Sequence, residues 1–267
     1  MPSPGAALPA GDEVGVFETA EGCWQRLPLD RAELDESQPF PVGALVPCPG
    51  IRPGARVWSE GSGCTLNFVF RGTSYDEEGK PVDEGLFIGL AGHCVLGGHA
   101  EKTWTAGTGP VATDAARERF GQVEYAVLGF EDDTHLDWAL IRVDDDREPE
   151  VKPGLCHFGG PSGMSDTWNE GDLVHHFGQG LVYENTVQGR SGVVLSGETI
   201  SVSSIVFAGA TQLGDSGSPL IQADGDAVGL VVAGLSPLAF ATPIATQVEM
   251  AEEQLDMDLA LVEAPLA

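Results

Sequence analysis

Three short segments of the sequence contain the residue types that nucleophilic catalysis needs. Residues 90–94 supply His93, residues 135–141 supply Asp137 and residues 213–220 supply Ser216. A serine hydroxyl is almost fully protonated at neutral pH and attacks well only when a base removes its proton. The ordinary pKa of a histidine suits that base, and a carboxylate behind the ring would fix its tautomer. Each segment alone is also ordinary for a strand end or a turn, so it is their coincidence that predicts catalysis.

Gly214, two residues before the candidate nucleophile, predicts a second catalytic feature. A glycine permits a tight turn that directs its own N–H and that of Ser216 at the oxyanion formed during acyl transfer, and one such donor is typically worth about 10²–10³ in rate. The nucleophile elbow of another hydrolase class is excluded, because it needs G-x-S-x-G and position 218 is serine. In that class the catalytic residues run serine, acid, histidine along the chain, whereas here they run histidine, aspartate, serine. The amides of Gly214 and Ser216 are therefore the predicted oxyanion donors.

The composition excludes several other functions. The 267 residues include 13 Lys and Arg against 41 Asp and Glu, a formal net charge of −28, which excludes a nucleic-acid binder held by basic patches. No apolar stretch approaches the about 18 residues of a membrane span, and the start lacks the basic and apolar regions of a signal peptide. The acidic clusters fit a surface adapted to high salt or a generically soluble acidic protein. A calcium site in one acidic loop is an alternative, although EF-hand spacing is absent.

The pattern of apolar runs predicts the organisation of the chain. Residues 1–54 hold nine of the 18 prolines and are predicted to form an extended strap or leader. Residues 55–250 contain short apolar runs separated by turn residues, which favour an antiparallel barrel or sandwich, and Asp224-Gly225 predicts a hairpin. Residues 251–267 are expected to hold the end of a C-terminal helix and a tail. The apolar residues at helical spacing that predict this helix are Ile244, Val248, Ala251, Leu255, Leu259 and Val262.

The three segments together resemble the signature motifs of the chymotrypsin-like, or trypsin-fold, serine proteases of bacterial type. The family's Ala-Gly-His-Cys block matches residues 91–94, its Asp-x-Ala-Leu-Ile block matches 137–141, and its Gly-Asp-Ser-Gly-x-Pro block matches 214–219. The resemblance implies an all-β fold of two antiparallel six-stranded-type β-barrels, with the active site between them and a C-terminal α-helix. It also implies a serine endopeptidase that forms an acyl-serine intermediate and needs no cofactor or metal.

The resemblance also implies where a substrate side chain would bind. Ala210, six residues before the nucleophile, would lie at the base of the primary specificity pocket, and Ala233, Gly234 and Leu235 would lie along its side. A pocket without a carboxylate at its base should not favour Lys or Arg, so we expect a small or apolar P1 residue. The alternative, that Ala210 only packs, stays open.

The five cysteines leave at least one unpaired. By the resemblance, Cys64 and Cys94 form the disulfide beside the catalytic histidine, with residues 72–84 as a polar hairpin insertion between them. The pairing of the others is open, as is zinc binding, for which no C-x₂-C pair exists. These others are Cys23, Cys48 and Cys156. Disulfide-type cysteines favour a secreted or cell-surface protein, whereas an initiating methionine without a visible leader is compatible with the cytoplasm.

Asp215 departs from the family pattern. In bacterial relatives an arginine just after a half-cystine neutralises the equivalent carboxylate, but here that position is His157. Because a buried, unpaired carboxylate is costly, another cation should serve, and we expect Arg190.

The sequence leaves a rival function open. A catalytically silent, protease-like binding or adhesion protein could keep the fold without turnover, autoinhibited by its Pro-rich strap. An intact set of catalytic residues argues against it, and a fluorophosphonate probe distinguishes the two, since such a probe labels only an activated serine. As partners we expect a protein or peptide substrate, no nucleic acid and no membrane span, with the chain a monomer.

Overall fold

The structure is a computed structural model that describes most of the chain after residue 50. The described residues are 16–18, 24–26, 50–98, 100–131, 134–155, 158–180, 189–196, 204–235 and 237–266. Within the Pro-rich segment, β1 (Val16–Glu18) and β2 (Trp24–Arg26) pair antiparallel. The expectations for Cys23, Cys48, Cys156 and His157 lie outside the described residues.

The first large sheet is barrel-like and antiparallel. Its strands are β3 (Arg56–Ser59), β4 (Ser62–Thr65), β5 (Val69–Tyr75), β6 (Pro81–Leu90), β7 (Ala100–Thr103), β8 (Val111–Thr113), β9 (Arg119–Glu131) and β10 (Thr134–Val143). They lie in the order β5-β6-β10-β9-β8-β3-β4, with β7 also on β9. The predicted polar insertion at residues 72–84 is the β5–β6 hairpin. Phe70 and Trp138 pack edge to face in the core, with ring centroids 5.6 Å apart.

The second large sheet closes into a barrel. Its strands are β11 (Gly163–Met164), β12 (Leu173–Phe177), β13 (Gly189–Ser196), β14 (Ile205–Ala208), β15 (Pro219–Gln222), β16 (Asp226–Leu235) and β17 (Leu238–Pro243). Six of them run β16-β15-β12-β13-β14-β17, and β17 pairs back onto β16, while β11 adds a parallel edge. The hairpin predicted at Asp224-Gly225 joins β15 to β16, and Gly225 has a φ of +95°. The predicted all-β fold of two barrels is confirmed.

The C-terminal helix is confirmed, but its predicted length is wrong. Helix α1 spans Ile244–Leu255 and ends where Asp256 adopts a left-handed φ of 52°. The chain then forms β18 (Asp258–Leu261), which pairs antiparallel with β5. Leu259 continues the helical spacing, but it is buried as a strand residue against the first barrel. The open edge of β5 thus decides the structure of a segment whose apolar spacing fits both a helix and a strand. Among the described residues, no helix is long and apolar enough to cross a membrane.

Two adjacent histidines of β12 are enclosed within the protein. His175 and His176 are fully buried, and His175 Nδ1 lies 2.7 Å from Ser191 Oγ. Burial lowers the pKa of His175 to about 4. Burial and the positive charge of Arg190 together hold the pKa of His176 well below its ordinary value. Both rings are therefore neutral in the folded protein at neutral pH.

We predict that His175→Gln makes the free energy of unfolding less dependent on pH. The unfolded chain protonates His175 below about pH 6.5, whereas the folded chain does so only near pH 4, so stability is lost as the pH falls between these values. The loss from this group amounts to roughly 2 kcal/mol at pH 5. Urea unfolding of both proteins at pH 7 and pH 5 measures it, and equal losses in the two proteins would contradict the prediction.

Candidate active site

His93 is positioned by a short 3-10 turn at the end of β6. The turn spans Gly92–Cys94, and Gly92 is required there because a Cβ would lie 2.0 Å from the carbonyl oxygen of Val127. The next residue, Cys94, forms a disulfide with Cys64 of β4, as predicted. This bond fastens the histidine turn to the neighbouring strand.

Asp137 lies buried within β10, behind the His93 ring. Its carboxylate accepts a hydrogen bond from the His93 amide at 2.8 Å, and its second oxygen lies 2.7 Å from His93 Nδ1. Gln247 of α1 holds the strand from the other side: its Oε1 accepts from the Asp137 amide at 3.2 Å, and its Nε2 donates to the carbonyl of His135 at 3.3 Å. The sequence interpretation missed Gln247, although a polar residue three positions after Ile244, on the apolar face of the helix, was a signal.

Ser216 completes the predicted group of three. Its Oγ lies 2.8 Å from His93 Nε2, so the structure brings the serine, histidine and aspartate into one series of hydrogen bonds. Burial alone would lower the pKa of His93, but the hydrogen bond and the charge of Asp137 outweigh it and raise the pKa above its ordinary value. The base form of the imidazole is therefore present only above that raised pKa.

The residues before Ser216 form a tight turn. The Asp215 amide donates to the carbonyl of Gln212 at 3.0 Å, and Gly214 has a φ of +105°, which fits the third position of a type II turn. Thr65 Oγ1 donates to the Gly214 carbonyl at 2.8 Å and holds that carbonyl on the side facing β4. Within the described part of the chain, the amides of Gly214 and Ser216 donate to no acceptor.

Asp215 is buried and paired with Arg190, as predicted. Two guanidinium nitrogens lie 2.6 and 2.7 Å from the two carboxylate oxygens, and both side chains are 1% exposed. The amides of Gly180 and Gln212 each donate to the same carboxylate at 2.7 Å. A Cβ at Gly178 would lie 2.2 Å from an Asp215 oxygen, so the backbone closes directly over the ion pair.

The predicted specificity residues lie on two neighbouring segments. Ala210 is half-buried, and its carbonyl accepts from Arg190 at 3.0 Å, while Ala233 and Gly234 are exposed near the end of β16, whose last residue is Leu235. The sequence interpretation missed Thr211, which is buried and packs against Gly234, where a Cβ would lie 1.5 Å from the threonine hydroxyl. The structure thus brings residues 210–211 beside residue 234, and their role in specificity stays a prediction.

A cavity of about 430 Å³ adjoins the nucleophile on the first-barrel side. It is lined by Arg56, Trp58, Ser62, Gly63, Cys64, His93, Cys94, Leu213, Gly214 and Ser216. In the described part of the chain, the one set of metal-ligating side chains brought together is Cys64, His93 and Cys94. Because both thiols are consumed by the disulfide, this set does not offer the thiolates that zinc would need.

Two β-barrels with a serine, histidine and aspartate joined by hydrogen bonds between them define a serine endopeptidase of the two-barrel class. A family model described as Trypsin matches residues 85–251, which include His93, Asp137 and Ser216. The chain belongs to the trypsin family.

Solved structures agree with this fold. Thermobifida fusca protease A has a TM-score of 0.52 and 17% sequence identity, with 80% of this chain and 100% of that chain covered. Cellulomonas bogoriensis chymotrypsin has a TM-score of 0.50 and 16% identity, with 79% and 99% covered. At this identity the similarity shows a shared fold. Among curated proteins, no sequence matches this chain.

We predict that Arg190→Met destabilises the protein by about 3–5 kcal/mol, because it leaves the Asp215 carboxylate buried without its counter-charge. The double variant Arg190→Met, Asp215→Asn should recover part of that loss, since it removes both charges. Urea unfolding of the two variants and the wild type checks this. Arg71→Gln, which removes an exposed partner of Asp83, is the control and should change stability by less than about 1 kcal/mol. An Arg190→Met variant as stable as that control would contradict the prediction.

Proposed function

We propose that this endopeptidase cleaves peptide bonds through an acyl-serine intermediate formed on Ser216. His93 acts as the base and then the acid, and Asp137 orients its ring. The observation that carries the proposal is the pair of short distances on the two sides of one imidazole: 2.8 Å from Nε2 to Ser216 Oγ and 2.7 Å from Nδ1 to Asp137. These contacts fix the tautomer in which Nε2 is free to accept a proton.

The acylation step follows from this geometry. Ser216 Oγ attacks the substrate carbonyl carbon as its proton passes to His93 Nε2, and the carbonyl π electrons move onto the oxygen. The negative Asp137 stabilises the imidazolium so formed, and the amides of Gly214 and Ser216 donate to the oxyanion. When the tetrahedral intermediate collapses, the C–N bond breaks and the departing amine takes the proton from Nε2.

Deacylation repeats the sequence with water. His93 removes a proton from a water molecule that attacks the acyl carbon, and the imidazolium then returns the proton to Ser216 Oγ as the ester bond breaks. Both half-reactions need neutral imidazole at their start. Because the pKa of His93 is raised, activity is present above that pKa and is lost as the pH falls through it.

We also propose a preference for small or apolar P1 side chains. Ala210 and Ala233 bring no charge to the predicted pocket, and the buried Thr211 fills the space beside Gly234. A side chain at the pocket wall leaves little room for a large substrate residue.

The disulfide bears on the compartment in which the protein acts. The Cys64–Cys94 disulfide is compatible with an extracellular protein, since such bonds persist in oxidising compartments. We propose a secreted or surface protease that acts as a monomer on protein or peptide substrates.

The nucleophile assignment is tested with Ser216→Ala. We expect a fluorophosphonate probe to label the wild type and not this variant, and kcat on casein at pH 8.5 to fall by about 10⁶. Ser165→Ala, which changes a serine that bonds within its own loop, should keep both labelling and turnover. Labelling of Ser216→Ala at the wild-type rate would contradict the assignment. An unlabelled, inactive wild type would favour the rival protease-like binding protein.

The P1 preference is tested with a series of peptides that differ only at P1. For the wild type we expect kcat/KM to be highest for Ala, lower for the apolar but large Phe because Thr211 restricts the space, and lowest for Lys because the predicted pocket brings no negative charge. Thr211→Gly should raise the Phe-to-Ala ratio of kcat/KM by about tenfold, because it opens the wall. Thr211→Ser is the matched control, since it keeps the hydroxyl and removes one methyl group. A ratio that is the same in the wild type and in Thr211→Gly would place the pocket elsewhere.

A further inference from the structure

A second cavity, strongly acidic, lies on the first barrel. Its volume is about 540 Å³, which is within the range of small-ligand pockets. Among the described residues that line it, Arg142 is the one basic side chain, whereas six are acidic. The acidic residues are Asp83, Glu84, Glu124, Asp144, Asp145 and Asp146. They come from the start of β6, from β9 and from the loop after β10.

This acidic cavity lies at the opposite end of the barrel from the catalytic residues. His93 follows the far end of β6, and Asp137 lies six positions before Val143, the last residue of β10. Six strand residues span about 20 Å. A ligand in the acidic cavity therefore leaves the active site free.

The acidic cavity contains more negative charge than its arginines balance. Three of its carboxylates have arginine partners, in the pairs Asp83–Arg71, Asp144–Arg119 and Asp145–Arg142. The other three, Glu84, Glu124 and Asp146, pair with no cationic side chain in the described part of the chain. One oxygen of Glu84 accepts a hydrogen bond from Ser74 Oγ at 2.5 Å.

Glu124 is the buried member of this group. Its side chain makes no hydrogen bond and no ion pair with another described residue, although the residue is only 8% exposed. Burial raises the pKa of Glu124 above its ordinary value; the positive charge of Arg142 opposes this rise and the negative charge of Glu84 adds to it. A buried carboxylate without a partner destabilises the fold. A cation in the cavity would offset that cost.

A β-bulge holds Glu124 at this position. Val123 is opposite Ile141 and Tyr125 is opposite Leu140, so Glu124 is the extra residue of β9 and has no counterpart on β10. Both of its neighbours in sequence are fully buried in the core. The bulge needs no carboxylate, so the backbone does not explain why the residue at this position is acidic.

The spacing of the carboxylates decides which kind of cation fits. Among the described residues, no three of these carboxylates converge closely enough to hold a metal ion. A guanidinium or an alkylammonium is larger, and its several N–H donors point in different directions, so it can reach carboxylates that are further apart. The net charge of −28 also attracts cations to the protein.

We propose that the acidic cavity binds an alkylguanidinium or alkylammonium group, with Glu124 as its buried partner and with Glu84 and Asp146 adding negative charge. Such a group is offered by a free polyamine or by an Arg or Lys side chain of a polypeptide. The site is separate from the proposed peptidase centre and does not depend on it.

The test measures binding by titration calorimetry in 20 mM NaCl at pH 7.5. The probes are agmatine and the peptide acetyl-Gly-Arg-Gly-amide, and the protein carries Ser216→Ala so that the peptide is not consumed. We expect at least one probe to bind with a Kd of about 1 mM or lower. Glu124→Gln should weaken this binding by about fivefold or more, and 0.5 M NaCl should weaken it too, because salt screens the attraction.

Two controls separate a built site from general attraction to an acidic protein. Glu253→Gln removes the same charge from an exposed position of α1 and should leave the Kd unchanged. The same peptide with citrulline in place of Arg has nearly the same shape without the charge and should not bind. Glu84→Gln should weaken binding by about twofold or more, and it keeps the proposal falsifiable if Glu124→Gln does not fold.

The outcomes are distinct. Binding that depends on Glu124 supports the site, and the probe that binds more tightly identifies its source as a free amine or a polypeptide. No binding of either probe at 10 mM, or equal binding by both glutamate variants and the Glu253→Gln control, would overturn the site. Agmatine that slows fluorophosphonate labelling of the wild type would place the cation in the active site and would also overturn it. A wild type that binds agmatine through Glu124 but is not labelled would remove the peptidase function and leave this site standing.

Discussion

The nucleophile and its base belong to different barrels, so the 2.8 Å between Ser216 and His93 depends on how the barrels are joined. Thr65, at the end of β4, makes that junction. Its amide donates to the Ser216 carbonyl at 2.8 Å, and its hydroxyl donates to the Gly214 carbonyl at the same distance. The preceding residue, Cys64, is bonded to the turn that carries the histidine. One dipeptide of the first barrel therefore holds both halves of the catalytic arrangement, and small relative movements of the barrels would separate them.

Charge inside the second barrel is balanced within a small group. Arg190 and Asp215 contribute one charge of each sign, and the neighbouring His175 and His176 stay neutral because they are buried. Because Arg190 lies close to His176, protonation of His176 is unfavourable. Since Arg190 also pairs with Asp215, the protonation of this histidine is coupled to the turn before Ser216. Ion pairs on the surface of the first barrel, such as that between Arg71 and Asp83, are exposed to water and contribute little to stability by comparison.

The sequence predicted those site residues whose own chemistry allows few other residue types at their positions. His93 and Ser216 stand in short blocks that few other functions require, and Arg190 was predicted from the need of a buried carboxylate for a cation. Thr65 and Gln247 could not be inferred in this way, because a threonine after a cysteine and a glutamine in a helix have many local explanations. Their roles come from contacts with residues more than 100 positions away. The end of α1 was missed for the same kind of reason, since the edge of β5 selects the strand.

The last described segment of the chain connects the two barrels to each other. Helix α1 leaves the second barrel and places Gln247 behind Asp137, and β18 then covers the edge of β5 in the first. A chain cut after Pro243 would thus lose the Gln247 contact to the strand that carries Asp137, and the four β5 residues that pair with β18 would become an open sheet edge, a surface on which chains associate. The first barrel is therefore completed by a strand that follows the second barrel in sequence, so a chain divided between the barrels would leave the first with an open sheet edge.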